Sequence, residues 1–253
     1  MPQTATNCVL SGFLLLVLMP WTSSFSLEGS LSSYAKFQAW QPCQNGSLSF
    51  EFQTSIPSAL LMYTDDRVYR DYFELTLLVG ALQLKVNLGG SHVRLNVGNN
   101  LNDSQWHKVS ISRQGRTVTL SVDQLSVSQE LYGQNLEFGR GRNSPVFIGG
   151  LPSEYRDRQS ELTLQHVIYQ PFFNGDIRNV LYSNCGAMLI RPEMLDHFGI
   201  VGETSLCTKD LCKNGGVCIT MDTETKCDCS RTDYEGEFCE TGESAVIFSY
   251  QNG

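Results

Sequence analysis

Six of the nine cysteines crowd into one stretch: Cys207, Cys212, Cys218, Cys227, Cys229 and Cys239, with four, five, eight, one and nine residues between successive thiols. Thiols so placed can hold a metal or cross-link the chain. A zinc site asks for four thiolates and imidazoles, commonly offered as CxxC pairs. This stretch has no such pair and no histidine. It is also too short and too poor in large apolar side chains to bury a core, so cross-linking is the chemistry that remains. Spacing alone does not choose among the possible pairings. The other reactive types are dispersed. His92, His107, His166 and His197 form no spaced ligand pair, and no GxSxG elbow, HExxH helix or P-loop occurs. Asp65-Asp66 reads as a pair of turn residues. No catalytic group is assigned and no enzyme activity is expected.

The elements that position these residues are strands. From Lys36 to Tyr182 apolar residues recur at every second position: Leu48, Phe50 and Phe52; Tyr72 to Leu77; Leu82, Leu84 and Val86; Val93, Leu95 and Val97; Val109 and Ile111; Val118, Leu120 and Val122; Leu162 and Leu164. Period two with one apolar face is the pattern of half-buried antiparallel strands. Turn residues at Gly80, Gly89-Gly90, Gly98-Asn99-Asn100, Gly115 and Gly139 to Gly141 cut the runs at hairpin distances. About a dozen short strands predict an all-β, antiparallel two-sheet jelly-roll sandwich. Helix is expected only as a turn around Met194 to Phe198. Cys43 stands before the first long strand and Cys185 after the last. Because the two ends of a sandwich domain commonly meet, a Cys43–Cys185 bond is expected to close it.

Composition narrows the setting. The 253 residues are 17% charged with a net charge of −8, unlike a disordered chain and unlike a nucleic-acid binder, which needs concentrated positive charge. Residues 1–26 contain no Asp, Glu, Lys or Arg and include the apolar run Val9 to Met19, with small residues Ser24 and Ser26 before Leu27. That is read as a signal peptide, cleaved ahead of Leu27, and implies export. Exported surfaces make the sequons Asn45-Gly46-Ser47 and Asn102-Asp103-Ser104 candidates for glycosylation. Ten acidic and four basic residues lie between Glu203 and Glu243, against 16 and 14 from Leu27 to Gly202. Arg67, Arg70, Arg113, Arg116, Arg140, Arg142, Arg156 and Arg158 fall largely in expected turns. Sharing a rim, some would suit heparan sulfate or an acidic partner, although the near-neutral balance of residues 27–202 does not favour a polyanion.

Several strings match a family. Trp106-His107-Lys108-Val109, Thr119 to Asp123, Val146 to Pro152 and Phe173 to Arg178 resemble laminin G-like domains over roughly residues 30–200. The cysteine-rich stretch, with Asn214-Gly215-Gly216 and Tyr234-Glu235-Gly236, resembles an epidermal growth factor-like module. That likeness implies the pairs Cys207–Cys218, Cys212–Cys227 and Cys229–Cys239. Cys229-Ser230-Arg231-Thr232 and the opening segment are most similar to the neurexin family. The organisation expected is therefore 1–26 signal peptide, 27–202 laminin G-like domain, 203–240 EGF-like domain, and 241–253 the start of a truncated following domain. Glu203 to Leu206 lack the acidic run of calcium-binding EGF-like modules, so no calcium is expected there. In the laminin G-like domain the resemblance implies a Ca²⁺ site, with Asp71 as the carboxylate and Leu88 and Gly139 as carbonyl donors. Where some members supply an Asn, this chain has Gly141 between Arg140 and Arg142, with Asn143 two places later.

The function implied is a secreted or cell-surface adhesion module of neurexin type, neuronal or synaptic, meeting a cell-surface or matrix protein through rim loops. Membrane attachment would come only from an anchor in a longer protein. Two alternatives are a basement-membrane component that binds heparan sulfate and a steroid or lipid carrier with a pocket between its sheets.

Overall fold

The computed structural model describes residues 24–30, 32–134, 136–138, 144–201, 211–221, 224–229 and 232–242. Within them fourteen strands form two seven-stranded antiparallel sheets. They are β1 (Ser24–Glu28), β2 (Tyr34–Phe37), β3 (Asn45–Gln53), β4 (Ala59–Asp66), β5 (Asp71–Leu78), β6 (Ala81–Leu88), β7 (Ser91–Val97), β8 (His107–Gln114), β9 (Thr117–Val122), β10 (Leu125–Glu130), β11 (Val146–Ile148), β12 (Asn174–Ser183), β13 (Met194–Phe198) and β14 (Ile200–Val201). Sheet A runs β10-β9-β8-β3-β12-β1-β14 and sheet B runs β13-β2-β11-β4-β5-β6-β7. Gly199 links β13 in one sheet to β14 in the other, so the chain crosses the sandwich there.

The alternation read from the sequence is what fills the space between the sheets. Leu48, Phe50 and Phe52 of β3, Val109 and Ile111 of β8, and Val118, Leu120 and Val122 of β9 face Phe73, Leu75 and Leu77 of β5 and Leu82, Leu84 and Val86 of β6 in one core. Trp40 is fully buried and meets Phe73 edge-on at 5.2 Å, and Phe73 meets Phe138 at the same distance. Such edge-to-face pairs add to the burial of their large apolar areas.

Three expectations are corrected. Met194 to Phe198 is strand β13, paired with β2, and not a helical turn. Short 3₁₀ turns occur instead at Ser153–Arg156, Gln159–Glu161 and Gln165–Tyr169. Leu162 to Leu164 is a bend between two of those turns and not a strand. Its spacing mimics a strand because Leu162 is pulled inward while the N–H groups of Thr163 and Leu164 donate to Asp65 Oδ2 (2.8 Å) and Tyr63 Oη (3.1 Å). Asp65 is not a turn residue but is buried within β4, and Asp66, the last residue of β4, caps the turn that follows from a buried position. Ser24 to Ser26, the last residues of the expected signal peptide, lie in β1 of the uncleaved chain, where Phe25 packs in the core and Ser26 donates to Asp176.

The stretch 151–169 roofs the outer face of sheet B. Leu151, Leu162, Val167 and Ile168 pack on Leu60, Tyr63, Tyr72 and Phe147, forming a second, smaller core. Hence every residue of β4 is buried, although an antiparallel sandwich strand normally shows one face to water. Among the described residues the outer face of sheet A has no such roof.

The cysteine-rich unit folds as two hairpins, β15 (Val217–Met221) with β16 (Glu224–Asp228) and β17 (Tyr234–Glu235) with β18 (Thr241–Gly242). Cys212–Cys227 and Cys229–Cys239 are bonded. A Cβ at Gly216 would lie 2.4 Å from Cys239 Sγ, so only glycine fits beside that bridge. Cys207 lies outside the described residues, and with it the expected Cys207–Cys218 pair. Residues 1–23 and 243–253, which hold most of the expected signal peptide and the following-domain start, lie outside them too.

Candidate functional site

Polar side chains that pair locally rather than with water build one end of the sandwich. Asp66 ends β4 and its Oδ1 accepts the N–H groups of Val68 (3.0 Å) and Tyr69 (3.4 Å), while its carbonyl accepts that of Arg70 (2.9 Å). A carboxylate capping the amides that follow it is how Asp shapes a tight turn. Arg70 closes the turn with φ of 60°. Asn87 Nδ2 donates to the Arg70 carbonyl at 2.8 Å, tying this loop to β6. Asp71 begins β5 and its Oδ1 accepts the N–H of Gly89 at 2.9 Å, tying β5 to the β6–β7 turn. Ser91 Oγ accepts the N–H of Tyr132 at 2.9 Å, adding the loop that leaves β10. Asp66, Asp71, Asn87 and Ser91 are all buried.

What this frame leaves outside is apolar and cationic. Val68 is 60% exposed, Tyr69 56% and Tyr132 71%. Arg70 and Arg116 are exposed beside them, Arg116 donating to the Leu131 carbonyl at 3.4 Å. Tyrosine and arginine are enriched at the centres of protein interfaces. The sequence reading missed Val68, Tyr69 and Tyr132. Its one available signal was an apolar pair, Val68-Tyr69, between two arginines in a turn otherwise expected to be polar.

Arg113, grouped with the rim arginines from sequence, is not available for binding. It is 1% exposed, its Nε donates to the Gly115 carbonyl at 3.1 Å, and a second guanidinium nitrogen donates to the Cys43 carbonyl. Burial draws its pKa down, against the opposing pull of Glu137 and Asp71. Arg67 is likewise engaged, lying over the Tyr155 ring and 3.4 Å from Glu161, which also meets Arg158 at 3.5 Å. Arg156 lies over Phe172. Arg140 and Arg142 lie outside the described residues.

Of the calcium set implied by resemblance, the structure brings Asp71 and Leu88 to this end. Gly139 lies outside the described residues. Calcium takes about six to eight oxygen ligands. Among the described residues no three metal-ligating side chains gather here or elsewhere. Asp71 is the sole described carboxylate of that set, one of its oxygens already holds the Gly89 N–H, and buried Arg113 feels its charge. The described donors therefore do not by themselves make a calcium cage.

The remaining named residues sit elsewhere. Cys43 and Cys185 are bonded across 142 positions, with Cα atoms 4.9 Å apart. Asn45 opens β3 and Asn102 lies in the β7–β8 loop. Trp106, expected in the core, is half-buried on the surface, its ring stacked 3.9 Å from the Arg178 guanidinium. The interior between the sheets is packed with side chains. A cleft of about 120 Å³ lies outside that core, lined by Ser32, Tyr34, Pro152, Ser153, Glu154 and Phe198. Ligand pockets usually hold about 300 to 1,000 Å³.

Residues 52–184 match the Laminin G domain family. The chain belongs to that family. It is neurexin-like as well. It is 36% identical over 246 residues to Neurexin 1 of Drosophila melanogaster, covering 87% of this chain and 13% of that protein. It is 32% identical over 211 residues to Neurexin-3a of Danio rerio, covering 83% of this chain and 12% of that one. The chain thus spans about an eighth of the length of these relatives. Among solved structures, domains LG4-5 of the mouse laminin alpha1 chain superpose with a TM-score of 0.57 at 20% identity, over 79% of this chain and 50% of that one. The LG1-3 region of the laminin alpha2 chain gives 0.56, also at 20%, over 71% and 34%. These two show the sandwich. Among the described residues no helix is long and apolar enough to cross a membrane.

Proposed function

We propose that this laminin G domain is an extracellular recognition module that binds a protein partner through the rim formed by the β4–β5 loop, the β6–β7 turn and the segment after β10. The observation that carries the reading is that Val68, Tyr69 and Tyr132 are held exposed by a buried polar frame. An apolar side chain held out in water costs free energy that contact with a partner recovers. The likeness to neurexins supports a partner on another cell or in the matrix, and the cysteine-rich unit would serve as an EGF-like spacer. Heparan sulfate is the weaker reading, because Arg113 is buried and Arg67, Arg156 and Arg158 are committed to Tyr155, Phe172 and Glu161.

Calcium is proposed as a modulator of the same rim, with Asp71 as its carboxylate. A bound cation would have to share that group with the Gly89 amide and Arg113. Calorimetry at millimolar Ca²⁺ tests this: heat from the wild type that vanishes in folded Asp71→Ala supports it, and a silent wild type ends it.

The rim itself is tested by staining of cultured neurons with the secreted, fluorescently tagged chain. Tyr69→Ser with Tyr132→Ser is expected to lower surface binding at least tenfold with the melting temperature unchanged. Binding equal to wild type would refute the rim. Binding abolished by heparinase instead would move the assignment to the glycan reading.

A further inference from the structure

The two sequons look alike in sequence and differ in structure. Asn102 has a place in the fold: its Nδ2 donates to the Ser55 carbonyl at 3.4 Å, and its Oδ1 packs where a side chain at Gly80 would stand. That asparagine is explained without any modification. In Asn45-Gly46-Ser47 the fold requires the glycine, while Asn45 packs its amide beside Gly186, with Nδ2 3.2 Å from where a Cβ there would stand, without a hydrogen bond among the described residues. A Cβ at Gly46 would lie 2.6 Å from Pro42 Cα and 2.7 Å from the Ser183 carbonyl, so glycine is required there. Ser47 is the outward-facing residue of its pair on β3. Asn45 is exposed, and among the described residues its side-chain amide has no hydrogen-bond partner.

The same face of sheet A continues from Asn45 as an open ladder of small hydroxyls. Strand pairing puts Ser47, Ser112, Thr119 and Ser128 in one transverse row, and Ser49, Ser110, Ser121 and Ser126 in the next. Neighbouring strands lie about 4.8 Å apart, and rows about 6.8 Å. One pair, Thr119 with Ser128, bonds internally at 2.8 Å. Among the described residues the face carries neither a roof nor a charge in these two rows, while Asn45, paired with Gln114, begins the row beside them.

We propose that Asn45 carries an N-linked glycan, that Asn102 does not, and that the sugar lies along this hydroxyl face. A neutral surface of donors and acceptors matches the hydroxyls of a saccharide, and a glycan there would close sheet A to protein partners and leave the rim open. The proposal rests on the export of the chain.

The test uses the whole chain, expressed from its own first residue in insect cells, with the medium collected. Enzymatic release of N-glycans in H₂¹⁸O followed by peptide mapping is expected to mark Asn45 and leave Asn102 unmarked. Asn45→Gln, and independently Ser47→Ala, should abolish the mobility shift, whereas Asn102→Gln should keep it. Secreted protein bare at Asn45, or carrying sugar at Asn102, overturns the site assignment. Protein retained in the cells with both sequons bare overturns export as well. Amide shifts of the glycosylated chain, against the chain trimmed to one sugar, test the face: differences are expected along Ser47, Ser49, Ser110, Ser112 and Ser121. Identical spectra would place the glycan off the face.

Discussion

The two outer faces of the sandwich solve one problem in opposite ways. Sheet B is roofed by 151–169 and therefore must satisfy polar groups in a dry place. Beneath the roof Asp65 Oδ2 accepts from Tyr63 Oη and the Thr163 amide, both at 2.8 Å, and Glu74 meets Lys85 at 2.9 Å and Gln170 at 3.1 Å. Among the described residues the outer face of sheet A is left to water, where small hydroxyls on β3, β8, β9 and β10 stand beside a partly exposed Arg178–Glu51 pair at 2.7 Å. A buried polar group is costly unless paired, and an exposed one is nearly free. The same kind of substitution should therefore mean very different things on the two faces.

The largest effect belongs to the apolar floor of the roof. Phe147, 1% exposed, meets Tyr155 edge-on at 5.8 Å and Tyr34 at 6.5 Å. Phe147→Ala is expected to cost about 3–5 kcal/mol in denaturant unfolding. A loss under 1 kcal/mol would mean that the roof is not packed on the sheet.

Next comes Asp65, whose Oδ1 is buried with no hydrogen-bond partner among the described residues, as is Thr163 Oγ1. Asp65→Ala would strand the Tyr63 hydroxyl and the Thr163 amide, at about 1–3 kcal/mol for the groups left unpaired. Adding Tyr63→Phe to that variant removes the stranded hydroxyl donor but also the acceptor of the Leu164 amide, so the two losses should be less than additive. Fully additive losses would contradict the network. Tyr63 illustrates the dryness: burial first, then the Asp65 charge, push its phenol far above its ordinary pKa.

How much of this was legible depends on how local each cause is. Alternation at Leu48, Phe50 and Phe52, and the placing of Cys43 and Cys185 outside the first and last long strands, needed only neighbours and the geometry of a sandwich. The roof did not show, because irregular chain has no period, and Leu162 with Leu164 imitated a strand. Asp65 looked like a turn residue because the partners that allow its burial, Thr163 and Ser144, are far along the chain, whereas Asp66 does cap the turn that follows it and only its burial was hidden. Strand β13 was hidden by Asp196, an acid whose place is set by the Tyr34 hydroxyl at 2.8 Å. At the rim, Asp71 was found by resemblance. Tyr69 and Tyr132 were not, since exposure is a property of the assembled loops.

A smaller effect sharpens the comparison at the edge of the open face. His107 lies between two carboxylates, Nδ1 2.8 Å from Asp123 and Nε2 3.0 Å from Asp103. Partial burial opposes its protonation, but the hydrogen bonds and charges of Asp123 and Asp103 outweigh that and raise its pKa. A raised folded pKa gives stability that is fully present below the unfolded value of about 6.5 and is lost as pH rises through the folded value. The melting temperature should therefore fall between pH 6 and pH 8.5 relative to His107→Gln, which lacks the titration. Parallel curves for the two proteins would show that neither carboxylate senses the imidazolium.

The smallest effect is the most discriminating. Ser110 stands between Ser49 and Ser121 in the open face and makes no side-chain hydrogen bond among the described residues. Its hydroxyl is hydrated in both folded and unfolded chains, so Ser110→Ala should change stability by under about 0.5 kcal/mol. The paired control is Ser144→Ala, buried just before β11, where the hydroxyl accepts the Asp65 amide at 2.8 Å and donates to the Asp65 carbonyl at 2.9 Å. Losing both bonds in a buried site should cost about 1–3 kcal/mol. One hydroxyl removed from an open place and one from a buried place, with the same change in volume, make solvent access the main variable. Equal losses from the two serines would mean that the open face is covered in solution, and Ser110→Ala repeated on the glycan-trimmed chain would then show whether the sugar is what covers it.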